Sequence, residues 1–328
     1  MLRIYVFLFC AIVMSPGAWA ACTLARGQPT QLAINAQTIT ITADAAIDTT
    51  TPIAQFDTPV TGSAIGYDDC IVGTEYGKRV VNLTGQDLST RIYQTNIPGI
   101  GIKLLFSNGR AFGNFPSTSY TRPVPGTEGN GTLDLAAGSF FRVQFFKTGN
   151  IKLTDPAGNT IIPAGLLAYY YIVSDNPASY IINLTVGEMK LISTPTCTTD
   201  GTKTVDFNTV TPSLLKAGVT RDLGFSITCK SDYGSYAAKA SMITNSPSSD
   251  GTYIRVLDAT GNSDSLGIRI TDGLNQLMNV NGTTTEDKNS TSQGPTEFTW
   301  KATLIPGKSA TPAGGTFTAA AEILFDIQ

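Results

Sequence analysis

Along most of this chain apolar residues recur at every second position. Leu32, Ile34 and Ala36, then Ile39 and Ile41, alternate with polar neighbours, and Phe141, Val143 and Phe145 alternate with Arg142 and Gln144. A period of two marks a half-buried strand, because successive side chains leave opposite faces of a sheet. Runs rich in Val, Ile, Tyr and Phe, bounded by Gly, Pro, Asn and Asp, predict further strands at 79–83, 100–106, 166–173 and 180–186. The Pro- and Gly-rich stretches at 123–126 and 129–131 mark loops. Ser193-Thr194-Pro195-Thr196 reads as a linker, and a second strand series follows at 204–207, 223–229, 237–243, 253–257, 266–270 and 297–304. The polar stretch 279–294 reads as an exposed loop. No segment sustains a helical period, and no internal repeat aligns. Short strands with frequent turns predict an all-β chain of two β-sandwiches in tandem, at 21–193 and 197–328, joined by a linker at 194–196.

The start of the chain has a different pattern. Arg3 precedes an apolar run at 4–14, Ser15-Pro16-Gly17 breaks it, and Ala18-Trp19-Ala20 gives a small-x-small cleavage pattern. Residues 1–20 are expected to be a secretory signal peptide, removed after Ala20. The run falls short of the roughly 20 apolar residues that span a bilayer. The most apolar later stretch, 166–173, has the length of a strand, so no membrane insertion is expected.

Export fixes the reading of the cysteines. Cys10 leaves with the signal, and Cys22, Cys70, Cys197 and Cys229 form an even set in an oxidising compartment. Four cysteines allow three pairings; Cys22–Cys70 and Cys197–Cys229 are expected, because each pair then falls within one half. Metal binding is the competing reading, but no CxxC spacing and no histidine accompany them. The absence of histidine also removes Ser-His-Asp and Cys-His nucleophile systems. Asp68 and Asp69 are adjacent, so on a strand they point to opposite faces and make no acid/base pair. Neither an enzyme nor a cofactor or metal is expected. A net charge of −3 and a pI near 5.0 speak against nucleic acid or anionic membrane as partners. Charged residues at 14% are sparse, yet 41% hydrophobic residues suffice for ordinary cores.

The last segment carries the strongest signal. Phe317, Ala319, Ala321, Ile323, Phe325 and Ile327 fall on one face, and the alternation persists to the end, predicting a strand of about 13 residues over 316–328. A long strand without a following partner leaves a sheet edge open, which invites a strand from another chain.

On these residues the sequence resembles the two-domain tip adhesins of chaperone–usher fimbriae, over nearly the whole chain beyond the signal. Cys197 and Cys229 have pilin-like spacing, Leu266-Gly267-Ile268-Arg269-Ile270 is similar to a pilin strand motif, and Gly315 is fourteenth from the C-terminus. Pro98-Gly99-Ile100-Gly101-Ile102 resembles a segment of adhesin N-terminal domains. One departure is Ile327, where the family usually has a penultimate aromatic; Phe325 lies two residues earlier. The resemblance implies an N-terminal immunoglobulin-like or jelly-roll adhesin domain and a C-terminal immunoglobulin-like pilin domain that lacks its last strand. It implies a periplasmic chaperone that lends a strand through Gly315, Phe317, Ala319, Ala321, Ile323, Phe325 and Ile327. It further implies an outer-membrane usher, a neighbouring subunit that donates its N-terminal arm, and a final location at the extracellular fimbrial tip. Only Ala21 would precede Cys22 after cleavage, so the chain is expected to accept a strand without giving one.

The ligand is less legible. In the mannose-binding member of the family the pocket comes from the mature N-terminus and two loops, which correspond to Ala21, 71–76 and 174–180 here. The residues differ, so mannose specificity is not carried over. Glu75, Tyr76, Asp175, Asn176 and Tyr180 are the expected ligand-contacting residues, suited to sugars by aromatic faces and polar tips. Three functions remain open: a glycan-binding tip adhesin, a tip adhesin for a host matrix protein, and a fibre-tip initiator without ligand.

Overall fold

The computed structural model describes residues 22–126, 130–290, 293–308 and 311–328; the expected signal peptide and Ala21 lie outside them. The described residues are all-β apart from one short helix, as the alternating pattern predicts.

Two buried cores account for the architecture. In the first, a five-stranded sheet runs in the order Ser117–Tyr120, Glu75–Val80, Gly165–Ile172, Tyr180–Val186, Thr30–Ile34. Facing it is a sheet of Ala54–Asp57, Phe140–Lys147, Ile100–Ser107 and Tyr93–Gln94. Phe106 spans the interior, with its ring centroid 5.0 Å from Phe141 and 5.4 Å from Tyr170 of the opposite sheet. The apolar alternation thus does what it predicts: one side of each strand supplies the core. Two parallel pairings tie the end of this half to its beginning, Tyr180–Val186 against Thr30–Ile34 and Met189–Thr194 against Gln37–Thr42. The Cys22–Cys70 disulfide closes the strand Ile65–Cys70 onto the chain start.

The second core lies between a sheet ordered Thr196–Thr199, Val219–Lys230, Pro295–Pro306, Leu266–Thr271, Ile254–Val256 and a three-stranded sheet ordered Glu286–Ser290, Tyr236–Ile243, Glu322–Ile327. Phe225 stacks on Phe298 at 5.0 Å and meets Trp300 edge-on at 4.9 Å. The Cys197–Cys229 disulfide joins the first two strands. The halves touch through the turn after Lys230. Ser193 Oγ donates to Asp232 at 2.6 Å, the Leu153 amide donates to the Asp232 carbonyl at 2.8 Å, and Tyr233 packs on the first core.

Five expectations change. The strand expected at 79–83 runs over Glu75–Val80, where Ser117–Tyr120 and Gly165–Ile172 supply its ladders. The C-terminal strand begins only at Glu322, not at 316, because the preceding residues find no continuous backbone partner. Residues 204–207 form no strand for the same reason, although Phe207 is buried. The polar stretch expected as a loop contains the strand Glu286–Ser290, which pairs with Tyr236–Ala240. Finally, Pro212–Ala217 is a helix of six residues, too short to display a period. Thr211 caps it by accepting from the Leu214 amide, with Pro212 at its first position and Gly218 at its end with φ +84°.

Candidate functional site

The expected site residues fall on two features of the described residues. The first is built on the strand Glu75–Val80. Alternation sends Glu75 and Arg79 to one face and Tyr76 and Lys78 to the other. Tyr169 sits opposite Arg79 on the adjacent strand, and Tyr171 follows two residues on. Arg79 becomes the hub of a polar network. Its Nε donates to Asp175 at 2.7 Å, an Nη donates to the Tyr171 hydroxyl at 2.7 Å, and its guanidinium lies 5.0 Å from the centre of the Tyr171 ring. The Tyr169 hydroxyl donates to Asp175 at 2.7 Å and the Tyr171 hydroxyl to Glu75 at 2.5 Å. Burial pushes both phenols up to about 12, helped by the carboxylates that accept their hydrogen bonds.

The expected ligand-contacting residues separate within this frame. Glu75 and Asp175, 100 positions apart, are brought together by Arg79. Tyr76 leaves from the opposite face and stacks on Tyr170, centroids 6.4 Å apart. Asn176 is exposed, and its Oδ1 accepts from the Ala178 amide, so it shapes the turn between two strands. Tyr180 is half-buried at the start of the next strand, paired with Tyr171. The 71–76 and 174–180 segments do share one end of the sandwich, since the Val173 amide donates to the Glu75 carbonyl at 2.8 Å. Arg79, Tyr169 and Tyr171 escape the sequence reading. Its available signal was a cation four positions after Glu75, on the same strand face.

The second feature is an apolar groove. A cavity of about 630 Å³ runs between the C-terminal segment and Thr199–Val205, walled by Leu223, Phe225, Ile254, Ile268, Phe317 and Phe325. A neighbouring cavity of about 840 Å³ shares Val205, Phe207 and Phe317 and continues along Leu215, Leu266 and Leu304. The strands on both flanks, Thr196–Thr199 and Glu322–Ile327, each have a regular partner on one side only. Ile323, Phe325 and Ile327 are half-buried against the second core. Phe317, Ala319 and Ala321 also line the groove without belonging to a strand. Gly315 lies at its far end with φ +143°, and a side chain there would collide with Ala259, so the position demands glycine. Among the described residues no cluster of metal-ligating side chains occurs, and no helix is long and apolar enough to cross a membrane.

Two family profiles match consecutive parts of the chain: a MrkD-like receptor binding domain over residues 32–187 and Fimbrial protein over residues 183–328. No curated protein matches. Among solved structures, the receptor binding domain of the plasmid-borne adhesin MrkD1P of Klebsiella pneumoniae is 18% identical, covering 53% of this chain and 95% of its own, with a TM-score of 0.38. The CupB6 tip adhesin from Pseudomonas aeruginosa is 14% identical over 93% of this chain and 94% of its own, with a TM-score of 0.32. CfaE, the adhesive subunit of CFA/I fimbria of enterotoxigenic Escherichia coli, is 11% identical over 92% and 93%, with a TM-score of 0.30.

Proposed function

We propose that this chain, which belongs to the two-domain tip adhesins of chaperone–usher fimbriae, binds a host glycan with its first half and is held in the fibre by a strand inserted into its second. The observation that carries the reading is the apolar groove flanked by two strands with open edges. An inserted strand satisfies the backbone groups of both edges and covers the apolar walls. A periplasmic chaperone supplies that strand during export, an outer-membrane usher passes the chain on, and the arm of the adjacent subunit replaces the chaperone's strand. Gly315, Phe317, Ala319, Ala321, Ile323, Phe325 and Ile327 present the accepting face. We take the boundary at 194–196, where Pro195 alone separates the strands Met189–Thr194 and Thr196–Thr199, with the receptor-binding part outermost at the extracellular tip.

Glycan binding is supported by the grouping of carboxylates and tyrosines at one end of the first sandwich, where Glu75, Tyr76, Asp175, Asn176 and Tyr180 lie. The test is a panel of immobilised glycans and matrix proteins probed with the full exported chain. Selective retention of a sugar is expected, weakened tenfold or more by Asp175→Ala or Tyr180→Ala. Silence on every glycan with saturable binding to a matrix protein would replace this reading by that of a protein-binding adhesin.

A further inference from the structure

The first half holds a lysine on the inward face of a sheet. Lys78 is in mid-strand, flanked in alternation by Tyr76 and Val80, both of which pack on the first core. It is 9% exposed. Its nearest charged neighbours along the strand, Glu75 and Arg79, leave from the other face and are engaged with each other. Lys78 makes no ion pair among the described residues. Its Nζ lies 5.7 Å from the centre of the Phe115 ring, and burial lowers its pKa from the usual lysine value. A buried ammonium without a carboxylate is costly to keep.

The ammonium faces a cleft of about 460 Å³. Stacked Tyr76 and Tyr170 form one wall, Arg91 stands in the lining, and Asn114, Ser117 and Ser119 add polar groups. No Asp or Glu lines it. Arg91 also makes no ion pair among the described residues, and it holds the left-handed φ of +63° that a bulky residue adopts at a cost. The floor is kept open by Gly113, where a side chain would run into Lys78 Nζ. Two cations without counter-charge, a tyrosine wall and neutral hydrogen-bonding groups in one concave site suit a ring that carries a negative charge.

We propose that this cleft binds an acidic sugar, its carboxylate or sulfate group seated against Lys78 and Arg91 and its ring laid along Tyr76. The proposal rests on the glycan reading above and adds to it a subsite on the face of the strand Glu75–Val80 opposite Glu75 and Asp175, with Tyr76 common to both.

The test uses the full exported chain and three probes. Hyaluronan oligosaccharides carry carboxylates without sulfates, keratan sulfate oligosaccharides carry sulfates without carboxylates, and chito-oligosaccharides are uncharged. Binding is measured by calorimetry at two salt concentrations. At least one acidic probe is expected to bind tenfold or more tighter than the neutral one, with affinity falling as salt rises. Which one binds identifies the anion. Lys78→Met and Arg91→Gly are each expected to remove that preference. Arg91→Gly suits the left-handed position and leaves the core untouched, so it decides the matter if Lys78→Met folds poorly. Equal binding of acidic and neutral probes, or an acidic preference that survives the substitutions, overturns the proposal while leaving the glycan reading in place. Binding to a matrix protein with no response to any sugar overturns both.

Discussion

Glu75 and Asp175 are separated by 100 positions, and nothing in their local sequence says that they meet. Their meeting depends on Arg79 and on the antiparallel pairing that sets Tyr169 opposite it, a long-range register that alternation alone leaves open. The family resemblance places the segments 71–76 and 174–180 at one end of the sandwich, where the Val173 amide meets the Glu75 carbonyl, but gives no sign that an arginine joins them. The same network has a pH consequence. Tyr169 and Tyr171 are raised to about 12, above the usual phenol value of 10.0, by burial first and by their carboxylate partners second. Protonated phenols are therefore favoured in the folded state. The stability they contribute is complete below pH 10 and is lost as pH rises from about 10 towards 12. Urea unfolding of the first half across this range should show the midpoint falling. The Tyr169→Phe, Tyr171→Phe double variant should show a shallower fall, with Tyr93, also raised to about 12, carrying part of what remains.

Among the elements, those best read from sequence have partners on both sides. Tyr180–Val186 runs between two neighbours in its sheet and matches its expected limits at 180–186. Two partners are not sufficient, since the strand expected at 79–83 lies at Glu75–Val80; two other misread segments line the open groove. At 204–207 and 316–321 the alternation holds for the aromatic residues, since Phe207 is buried and Phe317 half-buried, while Ala319 and Ala321 stay exposed and residues of both parities line the cavities. It says nothing about whether a backbone partner is present, and here continuous pairing starts only at Glu322. The opposite error occurs at Glu286–Ser290, where an edge strand with little apolar content holds by its ladder and by the Glu286 carboxylate accepting from Trp300 Nε1. The C-terminal strand can be weighed by one substitution. The Phe325 ring lies 5.8 Å from Phe225 and 5.9 Å from Phe298. Because it is half-buried, Phe325→Ala should cost the second half about 2–3 kcal/mol, below the 3–5 kcal/mol of an enclosed phenylalanine. With a strand inserted over the groove the same substitution should cost more. Urea midpoints measured with and without the inserted strand check both values.

On the scale of the whole molecule the two halves differ in completeness. The first closes on itself through the parallel pairings of its last two strands with Thr30–Ile34 and Gln37–Thr42, and through Cys22–Cys70. The second keeps a groove lined by apolar side chains and bounded by strands paired on one side. The tandem organisation was legible because each half has its own strand series and its own cysteine pair. The incompleteness was signalled by the alternation at the chain end together with the family resemblance, because an unfilled place in a core leaves no residue of its own to read.

Trp300 offers a direct view of that incompleteness. It is the sole tryptophan of residues 22–328 and lies fully buried in the second core, so its fluorescence reports on that half alone. The decisive measurement is urea unfolding of the chain without residues 1–20, following Trp300 fluorescence beside far-ultraviolet circular dichroism. It is made with the chain alone and with a peptide of the N-terminal arm of the adjacent fimbrial subunit. Alone, Trp300 should report an early transition while much of the dichroism persists, and the peptide should move that transition to higher urea. A single late transition for the monomeric chain alone, with fluorescence and dichroism coincident and no response to the peptide, would contradict a fold completed by a strand from another subunit.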